Sequence, residues 1–396
     1  MNITVQSGDN FWLYSQIFRL PLQLIVDSNP SINPNQLMIG QTIKIPGFIP
    51  DTYTVQSGDT LWTISQQQNV AFQQLLFINR HLEANNLITG QQITLPRQVT
   101  WRVVNGCQEY SYDNLIKNMQ QLAYIYPFMS LFEIGQSVMG KPIPELVIGN
   151  GTKKVHWNGS FHANEWITTP IMMTFLNDYL LSLTNQKPIR GLHVHPLYYE
   201  TLLSVVPMVN PDGVNLVLEG PPEETYYRDL VLDINNGRSD FTHWKANIRG
   251  VDLNNQYPAR WEIEQERKEQ KPAPRDYPGE TPLTEPEANA IADLTVNRDF
   301  DRLLAFHTQG EVIYWGFEKS EPAVAETIVN EFARVSGYEP IRTVDSYAGY
   351  KDWFIQEWQR PGYTVELGEG VNPLPLSQFE EIYQEATGIF LASLYI

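Results

Sequence analysis

Cysteine is nearly absent from this chain: among its 396 residues only Cys107 carries a thiol. That excludes an intramolecular disulfide and a Cys-based metal site, so any metal must be held by histidine and carboxylate. Long apolar runs are missing too. No stretch approaches the ~18 consecutive apolar residues of a spanning helix. Met1-Asn2-Ile3-Thr4-Val5 has no basic segment leading into an apolar one, so a secretory signal is not expected. Basic residues are scarce, with 27 Lys and Arg against 45 Asp and Glu and a net charge of −18. A surface of that sign repels phosphates and disfavours nucleic acid as a partner. The deficit is uneven: residues 1–100 carry four basic and five acidic residues, so nearly all the excess lies in residues 101–396. With 42% hydrophobic and 18% charged residues the composition is that of a globular protein, and the length suggests two to three domains.

An internal repeat is present. Ile3–Pro46 aligns without a gap on Tyr53–Pro96, with 17 of 44 pairs identical. The shared residues include Thr-Val-Gln-Ser-Gly-Asp at 4–9 and 54–59, Trp12 and Trp62, Asn29 and Asn79, Gly40-Gln41 and Gly90-Gln91, and Pro46 and Pro96. Each copy reads as strand–helix–helix–strand. Thr-Val opens it, and Ser-Gly-Asp turns the chain, with Asp9 or Asp59 placed to N-cap the first helix. A helical pattern covers 60–68, and second helices are expected over 21–28 and 71–79. The closing alternation Ile-x-Ile-Pro or Ile-x-Leu-Pro should stop at its proline. Units of about 45 residues have little core and suit small binding modules. Residues 47–52 read as a linker.

These residues resemble the LysM domain, over nearly all of 3–96. The resemblance implies two modules, 1–47 and 52–97, that bind N-acetylglucosamine-containing glycan. Gly8, Asp9, Gly58, Asp59 and the segments near 29–32 and 79–82 are the candidate contacts.

From Tyr110 the pattern changes. Helical stretches at 111–126, 170–183, 285–296, 323–336 and 376–394 alternate with β-rich runs at 131–134, 145–149, 154–158, 203–209, 302–307 and 362–367. That alternation predicts an α/β domain over 107–396 with a mixed central sheet. Thr284-Glu285-Pro286-Glu287 reads as a capping box. The polar, Pro-rich stretch 219–282 reads mostly as surface loops, candidates for walling a cleft. The aromatic segment 347–358 is expected to combine a cleft-side loop with core packing.

Asn158-Gly-Ser-Phe-His162-Ala-Asn-Glu165 follows one predicted strand. Side chains at i and i+3 on a turn entering a helix can converge on one ion, and His with carboxylate suits Zn²⁺ if a third ligand exists. His-x-x-Glu alone is a weak signal. Arg302-Leu-Leu-Ala-Phe-His307 is an apolar strand with a histidine at its polar end, where sites in α/β sheets collect. Glu366 lies within Tyr363-Thr-Val-Glu-Leu367. A carboxylate there costs desolvation unless it has a partner or a task. His156, His193, His195 and His243 have no motif support and read as structural or surface residues.

In order, His162-x-x-Glu165, Asn210-Pro-Asp-Gly213, Gly250-Val-Asp-Leu-Asn254, His307 and Thr-Val-Glu366-Leu resemble the zinc metallocarboxypeptidase (M14) family over 110–396. The resemblance implies an α/β/α sandwich around a mixed eight-stranded sheet. It also implies one Zn²⁺ on His162, Glu165 and His307, with Glu366 as the general base of promoted-water hydrolysis. Tyr347 matches the family's mobile tyrosine, with Tyr350 as competitor. The family's Asn-Arg carboxylate clamp reads Asn254-Asn255 here, and a neutral amide cannot replace a guanidinium fork at equal strength. For the family's oxyanion arginine, the resemblance offers Lys245 or Arg249. LysM modules joined to such a domain resemble the endopeptidases that cut the γ-D-glutamyl–diaminopimelate bond of peptidoglycan stem peptides. Weak glycan sites would raise the local substrate concentration. Without a signal sequence, a cytoplasmic or spore- and wall-associated protein is expected.

Overall fold

In a computed structural model the described residues are 1–83 and 86–396. They form two compact units. One comprises Met1–Val103 with Gln120–Ser130 and Asn177–Val194, and the other comprises Val104–Met119, Leu131–Leu176 and His195–Ile396.

In the first unit each repeat folds as βααβ. The first runs β1 (Asn2–Thr4), helices Phe11–Phe18 and Leu22–Asp27, and β2 (Thr42–Lys44). The second runs β3 (Phe48–Thr54), helices Leu61–Gln67 and Phe72–Ile78, and β4 (Gln92–Gln98). Each two-stranded sheet is antiparallel. The shared asparagine is structural: Asn29 Nδ2 donates to Ile25 O and Lys44 O while its Oδ1 accepts from Lys44 N. Asn79 makes the same three bonds to Leu75 and Thr94. Each thus ties the second helix to the closing strand.

Three expectations for this half need correction. The helices are N-capped by Asn10 and Thr60, one residue later than expected. Asp9 and Asp59 instead close the preceding turn, accepting from Gln6 N and Gln56 N. The residues read as a linker belong mostly to β3. And β4 passes through Pro96, which faces Pro50. Facing antiparallel residues alternate between pairs that exchange N–H bonds and pairs that do not, so two prolines can face each other in a pair of the second kind without losing a bond.

The second unit is built on β5 (Ser130–Gln136), β6 (Pro142–Ile148), β7 (Lys153–Gly159), β8 (Thr201–Val206), β9 (Arg302–His307), β10 (Val312–Tyr314), β11 (Glu339–Ile341) and β12 (Gly362–Glu366). Their order in the sheet is β11-β10-β12-β9-β7-β8-β6-β5. The central strands β12, β9, β7 and β8 are parallel, while β10 and β6 run antiparallel to their inner neighbours, so the sheet is mixed. Long helices Pro286–Arg298, Val324–Ser336 and Phe379–Tyr395 accompany it. The parallel register sets Phe306 beside Gly159 and Glu366 beside His307. The motif residues therefore meet at one edge, beyond the carboxyl ends of β7, β9 and β12, as the sheet rule predicts.

Three-residue β10 and β11 carry too little pattern to be read from sequence. Two expectations hold only in part. Tyr350–Trp358 is a helix, its Tyr350, Trp353, Phe354 and Ile355 packed into the core. The stretch 219–282 is mostly loop, as expected, but it also contains helices Thr225–Ile234 and Trp261–Arg267. It also helps build a small core, in which Val231, Phe241, Trp244 and Ile248 join Ala163 and Leu216.

The capping box at Thr284 does not form. Thr284 bonds Gln256 Oε1 through its N–H and hydroxyl, and the buried Glu287 accepts from Val138 N at 3.1 Å. Burial pushes Glu287 up to about 7, with Asp212 and Glu285 adding to the rise against the Val138 bond. A carboxyl whose folded pKa is raised stabilises fully below its unfolded value, and that stability is lost as pH climbs through the folded value. The charged form thus costs about 3 kcal/mol above pH 7. Glu287→Gln keeps an acceptor for Val138. It should raise the denaturation midpoint at pH 8 and leave it nearly unchanged at pH 4.5; equal shifts at both pH values would contradict the assignment.

Candidate active site

The loop after β7 is held before any ligand is considered. Asn210 donates from its backbone to Ser160 O (3.0 Å) and from Nδ2 to Phe161 O (3.2 Å) and Ala246 O (3.0 Å). Its Oδ1 caps the helix Pro211–Glu219 through Gly213 N. A Cβ on Gly213 would lie 2.6 Å from the Asn210 amide and 2.8 Å from the Ala163 methyl, so the Asn-Pro-Asp-Gly motif needs its glycine for close approach. His162 precedes the short 3₁₀ turn Ala163–Glu165, and that turn brings the i and i+3 side chains together.

His162, Glu165 and His307 converge, all three buried. His162 Nδ1 lies 2.8 Å from Glu165 Oε1, His307 Nδ1 lies 2.9 Å from Glu165 Oε2, and the two Nδ1 atoms are 3.1 Å apart. Two ring nitrogens so close need a proton or a cation between their lone pairs, and two imidazoles with one carboxylate are a donor set that zinc takes with a position left open. Behind His162, Nε2 faces Asp252 Oδ1 at 3.2 Å. A carboxylate there holds the proton on Nε2 and leaves Nδ1 free to bind. On the other histidine, His307 stacks on Phe161.

Electrostatics follow from burial and neighbours. Burial would raise the Glu165 carboxyl, but His162 and His307 hold it well below the usual carboxylate range. Asp252 is likewise held well below its ordinary value, burial being outweighed by Lys245 and His162. Burial pushes Glu366 up to about 7, with Glu165 adding to the rise and His307 and Lys245 opposing it. Lys245 Nζ lies 3.1 Å from Asp252 Oδ2 and 3.7 Å from Asp276 Oδ1. Burial disfavours its charge, yet Asp252, Glu165 and Asp276 together hold its pKa above the ordinary lysine value.

These groups line a cleft of about 390 Å³. His162, Glu165, Lys245 and Glu366 are in its wall, together with Asn164, His243, Arg275, Thr308, Gln309, Tyr314 and Asn372. Other candidates lie elsewhere. Arg249 is half exposed and reaches toward Glu285 at 3.5 Å. Asn254 Oδ1 accepts from Tyr350 N at 3.1 Å, and the buried Asn255 accepts from Lys268 Nζ at 2.8 Å. Neither asparagine lines the cleft. Tyr347 packs on Phe317 beneath the Arg267 guanidinium. Tyr350 is fully buried with its hydroxyl on Thr295 Oγ1 at 2.7 Å. Among the described residues the tyrosine in the cleft wall is Tyr314, on β10. His243, read as structural or surface, is also in the wall, its Nδ1 3.2 Å from Asn372 O. Sequence reasoning missed Asp252, Arg275, Tyr314 and Asn372. Only Asp252 had a signal, as the aspartate inside Gly250-Val-Asp-Leu-Asn254.

Comparisons with known proteins bear on this geometry. The model for the LysM domain matches residues 3–46 and 53–96. The chain is 62% identical over 396 residues, all of both chains, to gamma-D-glutamyl-L-diamino acid endopeptidase 1 of Lysinibacillus sphaericus. It is 48% identical to the uncharacterized protein YqgT of Bacillus subtilis (strain 168), covering 73% of this chain and 78% of that one. Bovine thrombin-activatable fibrinolysis inhibitor, solved with tick carboxypeptidase inhibitor, superimposes with a TM-score of 0.55 at 18% identity over 73% of this chain and 97% of that chain, a likeness of fold. The zinc carboxypeptidase model matches residues 115–387. His162, Glu165 and His307 are accordingly a candidate zinc site, and this metallopeptidase chain belongs to the zinc carboxypeptidase family.

Proposed function

We propose that the chain is a zinc peptidase that hydrolyses the γ-D-glutamyl–meso-diaminopimelate amide of peptidoglycan stem peptides. In this reading residues 107–396 do the chemistry, and the modules at 1–47 and 52–97 hold the protein on N-acetylglucosamine-containing wall glycan. The observation that carries it is the full-length match to an endopeptidase named for a γ-D-glutamyl–L-diamino acid bond, the class to which this amide belongs, with both repeats inside the match. The neutral, buried Asn255 supports it further. A peptidase restricted to ordinary C-termini needs a guanidinium fork where this chain has an amide already engaged by Lys268.

Bound at His162, Glu165 and His307, Zn²⁺ would supply a Lewis acid and lower the pKa of water at the site. Glu366, beside His307 and open to the cleft, accepts a proton from the attacking water and returns it to the leaving amine. Lys245, kept charged by Asp252 and Asp276, donates to the carbonyl oxygen as negative charge develops there. Asp252 thereby serves two partners, fixing the His162 ring and the Lys245 ammonium.

The test is mass spectrometry of L-Ala-γ-D-Glu-meso-diaminopimelate incubated with the purified protein, with and without chelator. Chelator-sensitive release of free diaminopimelate is expected; intact tripeptide beside a zinc-loaded protein that trims ordinary C-termini would reject the substrate. The cation assignment has its own check. Lys245→Met should lower kcat by about 10²–10³ through loss of one oxyanion donor, whereas Arg249→Ala should stay within a few-fold of the parent. The reverse ranking would move the role to Arg249.

A further inference from the structure

We propose that Arg275 is a specificity-determining residue, a preformed guanidinium fork that binds a substrate carboxylate next to the scissile amide and takes the place of the clamp that Asn255 does not provide. This rests on the peptidoglycan reading above.

Arg275 lies in the polar, Pro-rich stretch that reads in sequence mostly as surface loops, but its backbone is fixed on both sides. Ala273 N donates to Gly250 O (3.0 Å), and Pro274 O accepts from both Lys245 N (2.8 Å) and Ala246 N (3.0 Å). Asp276, in the left-handed region at φ 64°, accepts through its carbonyl from Glu269 N, and Tyr277 O accepts from Asp252 N at 2.8 Å. The loop is thus stitched to the segment that carries Lys245 and Asp252. The guanidinium it presents is in the cleft wall with the zinc-site residues. Its Nε donates to Asp276 Oδ2 at 2.8 Å, its side chain is 60% exposed, and its two terminal nitrogens have no partner among the described residues.

Charge bookkeeping favours a carboxylate as their partner. Besides histidine, the cations in the wall are Lys245 and Arg275. Lys245 is already matched by two aspartates. Lys268, which sits on Asn255, is matched by Glu264 at 3.1 Å and stands outside this wall. A stem peptide brings several carboxylates toward a chain of net charge −18 and a cleft holding Glu165 and Glu366. An open guanidinium edge binds one of them with two parallel hydrogen bonds, and its pinned backbone lowers the cost of ordering it. Two carboxylates flank the bond, the α-carboxylate of D-Glu and the diaminopimelate carboxylate on the carbon that bears the acylated nitrogen, and the same fork fits either.

The experiment compares kcat/KM for the parent, Arg275→Ala and Arg275→Lys on three tripeptides: the free acid, the form amidated at the D-Glu α-carboxylate, and the form amidated on diaminopimelate. Zinc content and melting temperature are measured alongside. Arg275→Ala should lose about 30-fold on the free acid, the usual scale for a charge-assisted pair. Amidation of the paired carboxylate should cost the parent a similar factor and the alanine variant less than about twofold, which identifies the carboxylate. Arg275→Lys should recover only part of the loss. An alanine variant within about twofold of the parent on the free acid, or one equally impaired on all three tripeptides, overturns the proposal. If the parent leaves every tripeptide intact, the substrate reading has failed. The same acid-versus-amide comparison on a blocked dipeptide then decides for or against Arg275 separately.

Discussion

Glu366→Gln is expected to keep zinc bound and to lower turnover by about 10²–10⁴, the range a general base contributes. The swap preserves side-chain length and removes only the ability to take a proton. Glu366 is not among the three converging ligand residues, so the metal content should be unchanged. Its surroundings explain why it is suited to the task. Burial raises the carboxyl to about 7, which makes it a stronger base than a free glutamate while His307 and Lys245 prevent a further rise. The base works deprotonated, so kcat/KM should climb with pH through an acid limb. That limb lies at or below about 7, because the charge of a bound zinc ion favours the carboxylate. The residual activity of the glutamine variant should lack this limb. Near-parental turnover at full zinc occupancy, or an unchanged acid limb, would remove Glu366 from the mechanism.

Removing the metal should abolish cleavage and also loosen the fold around β7 and β9. The three donors sit within 3.1 Å of one another in pairs, so an empty site must hold a proton among them or spread apart. A ligand present at a thousand times its Kd stabilises by about 4 kcal/mol. Chelation should therefore lower the melting temperature of the catalytic unit by several degrees, and added zinc should restore both temperature and activity. His307→Ala should behave like the chelated protein at any practical zinc concentration. Asp252→Asn tests the layer behind the ligands. It keeps an acceptor for His162 but loses the charge that orders the ring and holds Lys245, so zinc affinity should fall by about 10–100-fold. Affinity should also fall with acid, since protons compete for the same histidine nitrogens and Glu165 oxygens. A chelated protein that still cleaves the tripeptide would exclude zinc from the reaction.

Much of the candidate site could be read locally. His162 and Glu165 lie three residues apart on one turn, His307 ends an apolar strand, and Glu366 interrupts another, so chemistry and position coincide within a few residues of chain. Strands β8 and β9 announced themselves for the same reason, each being largely a run of buried aliphatic residues. The core packing of 347–358 is legible in its aromatic density, but the helix Tyr350–Trp358 is not, because density alone does not distinguish a helix from a loop. The stretch 219–282 hides its helices and small core for the opposite reason. Its few apolar residues, Phe241, Trp244 and Ile248 among them, are scattered through polar sequence and form a core only with Ala163 and Leu216 from other segments.

By itself, then, the chain's order of residues determined the paired βααβ modules, the mixed α/β domain, the His-Glu-His donor set and the carboxylate beside it. Repeats, periodicity and motif spacing are properties of short segments, and backbone geometry turns them directly into structure. Only the tertiary structure decided which of several equally plausible side chains face the cleft: Lys245 with Asp276 behind it and not Arg249, Tyr314 and not Tyr347, and an Arg275 that no motif marks. The physical reason is that such choices depend on where a loop is pinned by bonds to distant backbone, as Pro274 O is by Lys245 N and Ala246 N. No spacing within the loop itself encodes those partners.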